Sequence, residues 1–244
     1  MRFYALLFAV FLSLARGFSA TPPTIVFVSG EFEYHSRETF PTFAKQLGAE
    51  YKVNTVVLQR PEDEKAQTIA GLEKLEQADL VVIMIRRMVL PEEQLNRFKK
   101  YLDSGKPLIG LRTASHSFEN WKEFDAQVLG GNYQNHHANQ LKTTVSIIPE
   151  ARENPILRGV SGFVSDGSLY KNTPLRPDSI PLLRGTIEGQ PTEPIAWTHQ
   201  YHGGRIFYSS LGHPNDFKNE SFTRMIHNAI EWTLQHPLEK RASK

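Results

Sequence analysis

The chain has 244 residues, 28 Lys and Arg against 26 Asp and Glu, 40% hydrophobic residues and no cysteine. This length suits one sizeable core, and the lack of thiols excludes disulfides, thiolate metal ligands and a cysteine nucleophile together. Chemistry would fall to His, carboxylates, hydroxyls or Arg, and the near-neutral charge gives no electrostatic warrant for nucleic acid or an anionic membrane as partner.

Residues 1–20 read as an export signal: Arg2 precedes an apolar stretch from Ala5 to Ala15, too short to span a bilayer. Cleavage is expected after Ala20, with Gly17 as the alternative. Loss of Arg2 and Arg16 takes the formal charge from +2 to zero. The mature chain, residues 21–240, is then expected to be a single domain with no membrane span, periplasmic or extracellular.

Thr24 to Gly30 (TIVFVSG) is a continuous apolar run, followed by a polar loop and a helical pattern from Glu38 to Leu47. Tyr51 to Leu58 repeats the strand pattern and leads to a helix around Ile69 to Gln77. Asp79 to Ile85 is the most strand-like run, and Pro91, in a first helical turn, opens an amphipathic helix through Tyr101. Pro107 to Leu111 is the fourth strand. Four runs buried on both faces and alternating with helices predict a mostly parallel sheet covered on each side.

Beyond Ser115 the pattern loosens. A helical segment near Trp121 to Leu129 ends at Gly130-Gly131, and a polar loop carries His136 and His137. Lys142 to Ile148, Phe163 to Tyr170 and Ile180 to Ile187 read as strands, which predicts an antiparallel extension over Gly130 to Pro194. Pro194 to Gln200 and Arg205 to Leu211 flank a hairpin turn at His202-Gly203-Gly204. Ser221 to Gln235 forms a closing amphipathic helix, and the basic tail after Pro237 reads as frayed.

In an open α/β sheet, ligands bind outside the C-terminal ends of the parallel strands. The loops leaving those ends carry Glu31, Glu33, Tyr34 and His35, then Arg86 and Arg87, then Arg112, Thr113, Ser115 and His116, and finally His213, Asn215 and Asp216. His213 stands where an apolar strand stops on Gly212-His213-Pro214, and an imidazole there suits an acid, a base or a metal ligand. An extended backbone would turn only one of His136 and His137 inward. Alternation does not decide between His199 and His202. Nine histidines without a fixed ligand spacing leave a zinc-like divalent ion open, with His116, His137 and His213 as candidate ligands. No nucleotide or flavin is expected.

The strings SGEFEYHS (Ser29 to Ser36), GLRTASHSF (Gly110 to Phe118), GGNYQNHH (Gly130 to His137), SDGSLY (Ser165 to Tyr170), PIAWTHQYHGGRIFYSSLGHP (Pro194 to Pro214) and NAIEWTL (Asn228 to Leu234) resemble the ThuA-like, or trehalose-utilisation, family. The resemblance implies a flavodoxin-like α/β fold similar to class I glutamine amidotransferases. In those enzymes a cysteine occupies the elbow after a central strand and a histidine follows a late strand. Here Arg112 stands where the thiol would be, while His213-Pro214 matches the histidine turn, so glutaminase chemistry through a thioester is excluded. Family members often carry an acid before Leu-Tyr, where this chain has Ser168.

The resemblance implies a small-molecule carbohydrate as ligand, a disaccharide or a keto-glycoside. As an enzyme, a hydrolase or lyase, the protein would exchange protons through His213 and either His116 or His137. Arg112 would bind or polarise an oxygen, and Glu31, His35, Asp166, Tyr170 and His199 would bind substrate. The alternative is a non-catalytic sugar-binding or sensory module in the same cleft.

Overall fold

The computed structural model describes residues 21–242; the expected export signal, residues 1–20, lies outside them. Strands β1 (Thr24–Gly30), β2 (Asn54–Gln59), β3 (Leu80–Ile85), β4 (Leu108–Leu111) and β11 (Gly204–Ser209) are parallel. Strands β6 (Thr143–Ile147), β7 (Phe163–Ser165), β9 (Ile180–Thr186) and β10 (Glu193–Tyr201) extend the sheet antiparallel. The order is β2-β1-β3-β4-β11-β10-β9-β6-β7. Its parallel half reproduces the flavodoxin-like order, with a topological switch between β1 and β3.

Alternate residues of each central strand feed opposite cores. Ile25 and Phe27 of β1, Val82 and Met84 of β3, and Phe207 of β11 pack with helices α1 (Ser36–Glu50) and α3 (Glu220–Leu234). Val26, Val28, Val81, Ile83, Ile206 and Tyr208 face α2 (Glu92–Asp103) and the segment before Leu129. Phe27 meets Phe40 and Phe43 edge-on at centroid distances of 5.5 and 6.1 Å. Burial of both faces explains why these strands read as unbroken apolar runs. Asn219 caps α3 by accepting from the N–H groups of Ser221 and Phe222, as a short amide side chain does at a helix start.

Several expected elements differ. The helix around Ile69 to Gln77 is a 3₁₀ turn, Leu72–Gln77, and the segment near Trp121 is a single π turn, Asp125–Leu129. Pro91 is the residue before α2 rather than its first helical residue. The run Phe163 to Tyr170 breaks: β7 ends at Ser165, and Tyr170–Lys171 forms β8, paired with β5 (Asn135–His136) in a separate ribbon. At the break Gly167 lies against the Arg112 guanidinium, where a Cβ would stand 2.9 Å from Nη1. The tail after Pro237 is docked, since Lys52 N–H donates to Glu239 O at 2.8 Å and Arg241 N–H to Glu50 O at 2.8 Å. Among the described residues no helix is long and apolar enough to cross a membrane.

Candidate functional site

Three non-glycine residues with left-handed backbone stand on the loops that leave the parallel strands. They are His35 (φ 54°) after β1, Arg87 (φ 49°) after β3 and Arg112 (φ 47°) after β4. Such conformations cost about 1–3 kcal/mol each and persist where the surrounding structure fixes them, commonly at functional sites. The strain therefore marks the same rim that the residue types mark.

Arg112 is the centre of that rim and is only 1% exposed. Its Nη1 donates to Ser168 O at 2.9 Å and Ser210 O at 2.7 Å, and its Nη2 donates to Ser168 Oγ at 2.9 Å and Tyr34 Oη at 3.3 Å. The guanidinium lies between the rings of Tyr34 and Tyr170, 4.5 and 4.3 Å from their centroids. Tyr208 Oη holds the Arg112 carbonyl at 2.7 Å. Burial works against the charge, yet the Tyr170 and Tyr34 phenols and the Asp216 carboxylate outweigh it and raise the pKa. Arg112 is thus a buried cation that ties loops after β4, β7 and β11 together; the role of binding a substrate oxygen, expected from the sequence, meets terminal N–H groups already spent on the protein.

His213 sits beyond β11 with its backbone fixed by Asp216, whose Oδ2 accepts from the N–H groups of Gly212 at 2.9 Å and His213 at 3.0 Å. Burial pushes the Asp216 carboxyl above its ordinary range, while those N–H donors and the Ser165 hydroxyl pull the other way. Asn215 N–H donates to His213 Nδ1 at 3.2 Å, which assigns the hydrogen of the neutral ring to Nε2. Burial also lowers the His213 pKa, with Asp216 opposing. Asn215 Nδ2 in turn donates to Asp166 Oδ2 at 2.8 Å, and Lys142 Nζ pairs with Asp166 Oδ1 at 2.8 Å. The Lys142 and Asn215 bonds hold the Asp166 carboxyl below its ordinary range. The His213 ring stands edge-on to Tyr34 at 6.5 Å.

Gly212 makes this turn possible, because its φ of 128° suits no side chain and a Cβ would stand 2.9 Å from Met84 Cε. Gly212→Ala should cost about 1–3 kcal/mol through backbone strain. A urea melt showing no loss would contradict that reading.

His116 stacks on Tyr133 at 4.4 Å and lies 6.0 Å from Tyr170, with its Nδ1 3.1 Å from Ser115 Oγ. Burial first, and then Arg86, Arg87 and Arg112, lower its pKa to about 3. The ring is neutral at pH 7 and a weak base. Of the adjacent histidines, His136 lies 6.1 Å from Tyr170 and influences His116 electrostatically. His137 is the more buried of the two, with its Nε2 unpartnered. The ring contact to Tyr170 is made by His136, while the His137 N–H donates to Leu169 O at 2.8 Å, next to Tyr170.

Glu31 is 1% exposed, and its carboxylate accepts from the N–H groups of Tyr34 at 2.5 Å and Ser36 at 2.8 Å. It shapes the loop that presents Tyr34. His35 precedes α1 as an exposed ring 3.8 Å from Glu38. His199 stands apart from the rim. It pairs with Ile206, toward the N-terminal end of β11, and its ring meets Ser179 Oγ and Gln127 O, both at 3.3 Å. It packs β10 against the π turn, and His202, in the same hairpin, faces Asp103 at 3.5 Å.

An open cleft of about 490 Å³ adjoins the cluster over the ends of β1, β2 and β3, lined by Glu31, Phe32, Glu33, Arg60, Arg86 and Arg87, among others. Arg87 N–H donates to His116 O at 2.7 Å, which joins the cleft wall to the histidine cluster. Sequence reasoning missed Tyr133 and Arg60. Tyr133 lies in a loop of no regular period, and its placement depends on Asp125, whose Oδ2 accepts the Tyr133 N–H at 2.7 Å. Among the described residues no group of three or more His, Asp or Glu is arranged to hold a metal ion, so His116, His137 and His213 do not converge as ligands.

Asp125 is buried with its Oδ1 unpartnered, and burial raises its pKa to about 7 against the Tyr133 hydrogen bond. A carboxyl whose folded pKa is raised favours folding below its unfolded value of 3.8, and this contribution is lost as pH rises from there through about 7. Asp125→Asn keeps an acceptor for Tyr133 and removes the titration. The variant should gain stability relative to the wild type between pH 4 and pH 7.5, on the order of 1–3 kcal/mol. His116 works in the opposite direction in both proteins, so the difference of two denaturation series isolates Asp125. A pH-independent difference would refute the assignment.

The model of the ThuA family, described as trehalose utilisation, matches residues 24–233. A ThuA-like protein from Bacteroides uniformis is 18% identical, with a TM-score of 0.68 over 90% of this chain and 94% of its own. A second, from Parabacteroides merdae, is 16% identical, with a TM-score of 0.66 over 92% of this chain and 94% of its own. Part of a cold-adapted β-galactosidase from Rahnella sp. R3 also has this fold, at 13% identity and a TM-score of 0.58 over 89% of this chain and 32% of the enzyme. No curated protein matches the chain. With the flavodoxin-like sheet, the histidine turn after β11 and a family match over most of its length, the chain belongs to the ThuA family.

Proposed function

We propose that the protein is an exported enzyme acting on a sugar, a disaccharide or keto-glycoside, and that His213 is its principal reacting group. The observation that carries this reading is the held imidazole: Asn215 N–H occupies Nδ1, and Tyr34 stands beside the ring. With Nδ1 engaged, the neutral ring offers Nε2–H to an oxygen of the substrate. Such a donor stabilises negative charge that develops on a carbonyl or leaving oxygen. This narrows the proton exchange expected from the sequence to hydrogen-bond donation. His116, with a pKa of about 3, is too weak a base to take a proton efficiently near neutrality and fits recognition instead. The partly exposed ring of Tyr133 offers an aromatic face that matches the apolar face of a sugar ring. Export rests on the character of residues 1–20.

A second reading, a non-catalytic sugar-binding module, is favoured by one observation: Arg112 has spent its terminal N–H groups on the protein. Purified protein incubated with trehalose, sucrose and their 3-keto forms separates the two. Product formation by the wild type supports the enzyme. Saturable binding of the same sugars without turnover supports the module and defeats the first reading.

A further inference from the structure

We propose that the cleft over the ends of β1, β2 and β3 receives an acidic substituent, a carboxylate or phosphate, of the sugar bound at the adjoining rim. The inference rests on the rim being a sugar site and adds the chemical class of its ligand. Three arginines line the cleft: Arg60, Arg86 and Arg87. Arg60 is 7% exposed, and its guanidinium is fixed before any ligand arrives. Its Nε donates to Ala66 O at 2.7 Å, its Nη2 bonds to Glu64 O, and the group lies over the Phe32 ring at 5.1 Å. Nη1 is left for a ligand.

Arg86 is ion-paired with Glu33, its Nε 3.0 Å from Oε2 without an aligned hydrogen bond. Arg87 forms no salt bridge among the described residues; its strained backbone and its bond to His116 O hold it at the boundary between cleft and rim. Three glutamates, Glu31, Glu33 and Glu64, also line the cleft, and Glu33 pairs with Arg86. The positions left for an incoming anion are therefore Arg87 and the Nη1 of Arg60. Planar guanidinium forks held at the edge of a cleft match the paired oxygens of carboxylate or phosphate. The electrostatic link is direct, because Arg86 and Arg87 act on His116 in the neighbouring cluster. A sugar seated against Tyr133 would have these arginines within reach of one substituent.

The test is calorimetric titration of the full chain with glucose, glucuronate, glucose 6-phosphate and inorganic phosphate, at low and at moderate salt. The expected result is that at least one acidic sugar binds about tenfold or more tighter than glucose, with the advantage shrinking as salt rises. Glucuronate against glucose 6-phosphate identifies the substituent. Arg87→Gln, at an exposed position, should remove most of that advantage and leave glucose affinity unchanged. Equal binding of glucose and both acidic sugars by the wild type would overturn the inference and leave the sugar site standing. Phosphate binding as tightly as glucose 6-phosphate would show an anion cleft that does not read the sugar and would overturn the inference. Failure of all four to bind would likewise overturn it, and binding of trehalose or its 3-keto form in the same titration would show the sugar reading beneath it still standing.

Discussion

Arg112→Met should unfold the protein about 3–5 kcal/mol more easily than the wild type in urea, without a comparable change elsewhere on the rim being able to compensate. The substitution keeps an apolar stem between Tyr34 and Tyr170 but removes the donors that satisfy Ser168 O and Ser210 O. A buried acceptor left without a partner costs about 1–3 kcal/mol, and two are stranded here together with the Ser168 and Tyr34 hydroxyls. Arg112→Lys should recover only part of the loss, because one ammonium cannot reproduce a planar fork that spans four acceptors. If Arg112→Met melted like the wild type while abolishing sugar binding, the residue would be a ligand-binding group and the structural role assigned to it would be wrong.

His213→Ala should leave the melting transition nearly unchanged, since the ring is half-buried and its main partner is a backbone N–H. The expected loss is about 10²–10³ in kcat with little change in KM, the signature of a donor that acts on charge developing in the transition state. The pH profile carries a second expectation. Because burial lowers the His213 pKa below its ordinary 6.5, the unprotonated Nδ1 that accepts the Asn215 N–H and orients the ring persists to lower pH, and the acid limb of kcat/KM should lie below 6.5. An equal rise in KM with kcat intact would instead make His213 a binding group.

The two residues also show what a sequence can and cannot convey. The parallel strands were legible because both faces of each are buried, so TIVFVSG and DLVVIMI are continuous apolar runs with no polar phase to misread. The placement of His213 followed from the same logic, since a strand that stops on Gly-His-Pro must deliver the histidine at the strand's end. Arg112 was legible as a rim residue but not as a buried one. Its burial depends on Ser168, Ser210 and Tyr34, which converge from three distant loops, and no periodicity encodes a convergence of that kind.

Tyr133 was invisible for a related reason, because a loop anchored by a buried carboxylate eight residues earlier has no repeating pattern. His199 misled in the opposite direction. It belongs to a motif-rich segment, yet alternation along β10 turns its ring toward the π turn rather than toward the end of β11. The π turn itself reads as ordinary helix, since one inserted residue leaves the local composition unchanged.

The most direct test of the account is a crystal structure of the protein with trehalose or 3-keto-trehalose bound. The expected result is the sugar at the C-terminal rim of the parallel strands, with a sugar oxygen about 2.7–3.2 Å from His213 Nε2, Asn215 N–H still on Nδ1, and a sugar face against Tyr133. A sugar bound away from this rim, or a His213 ring turned so that Nδ1 meets the ligand, would contradict it.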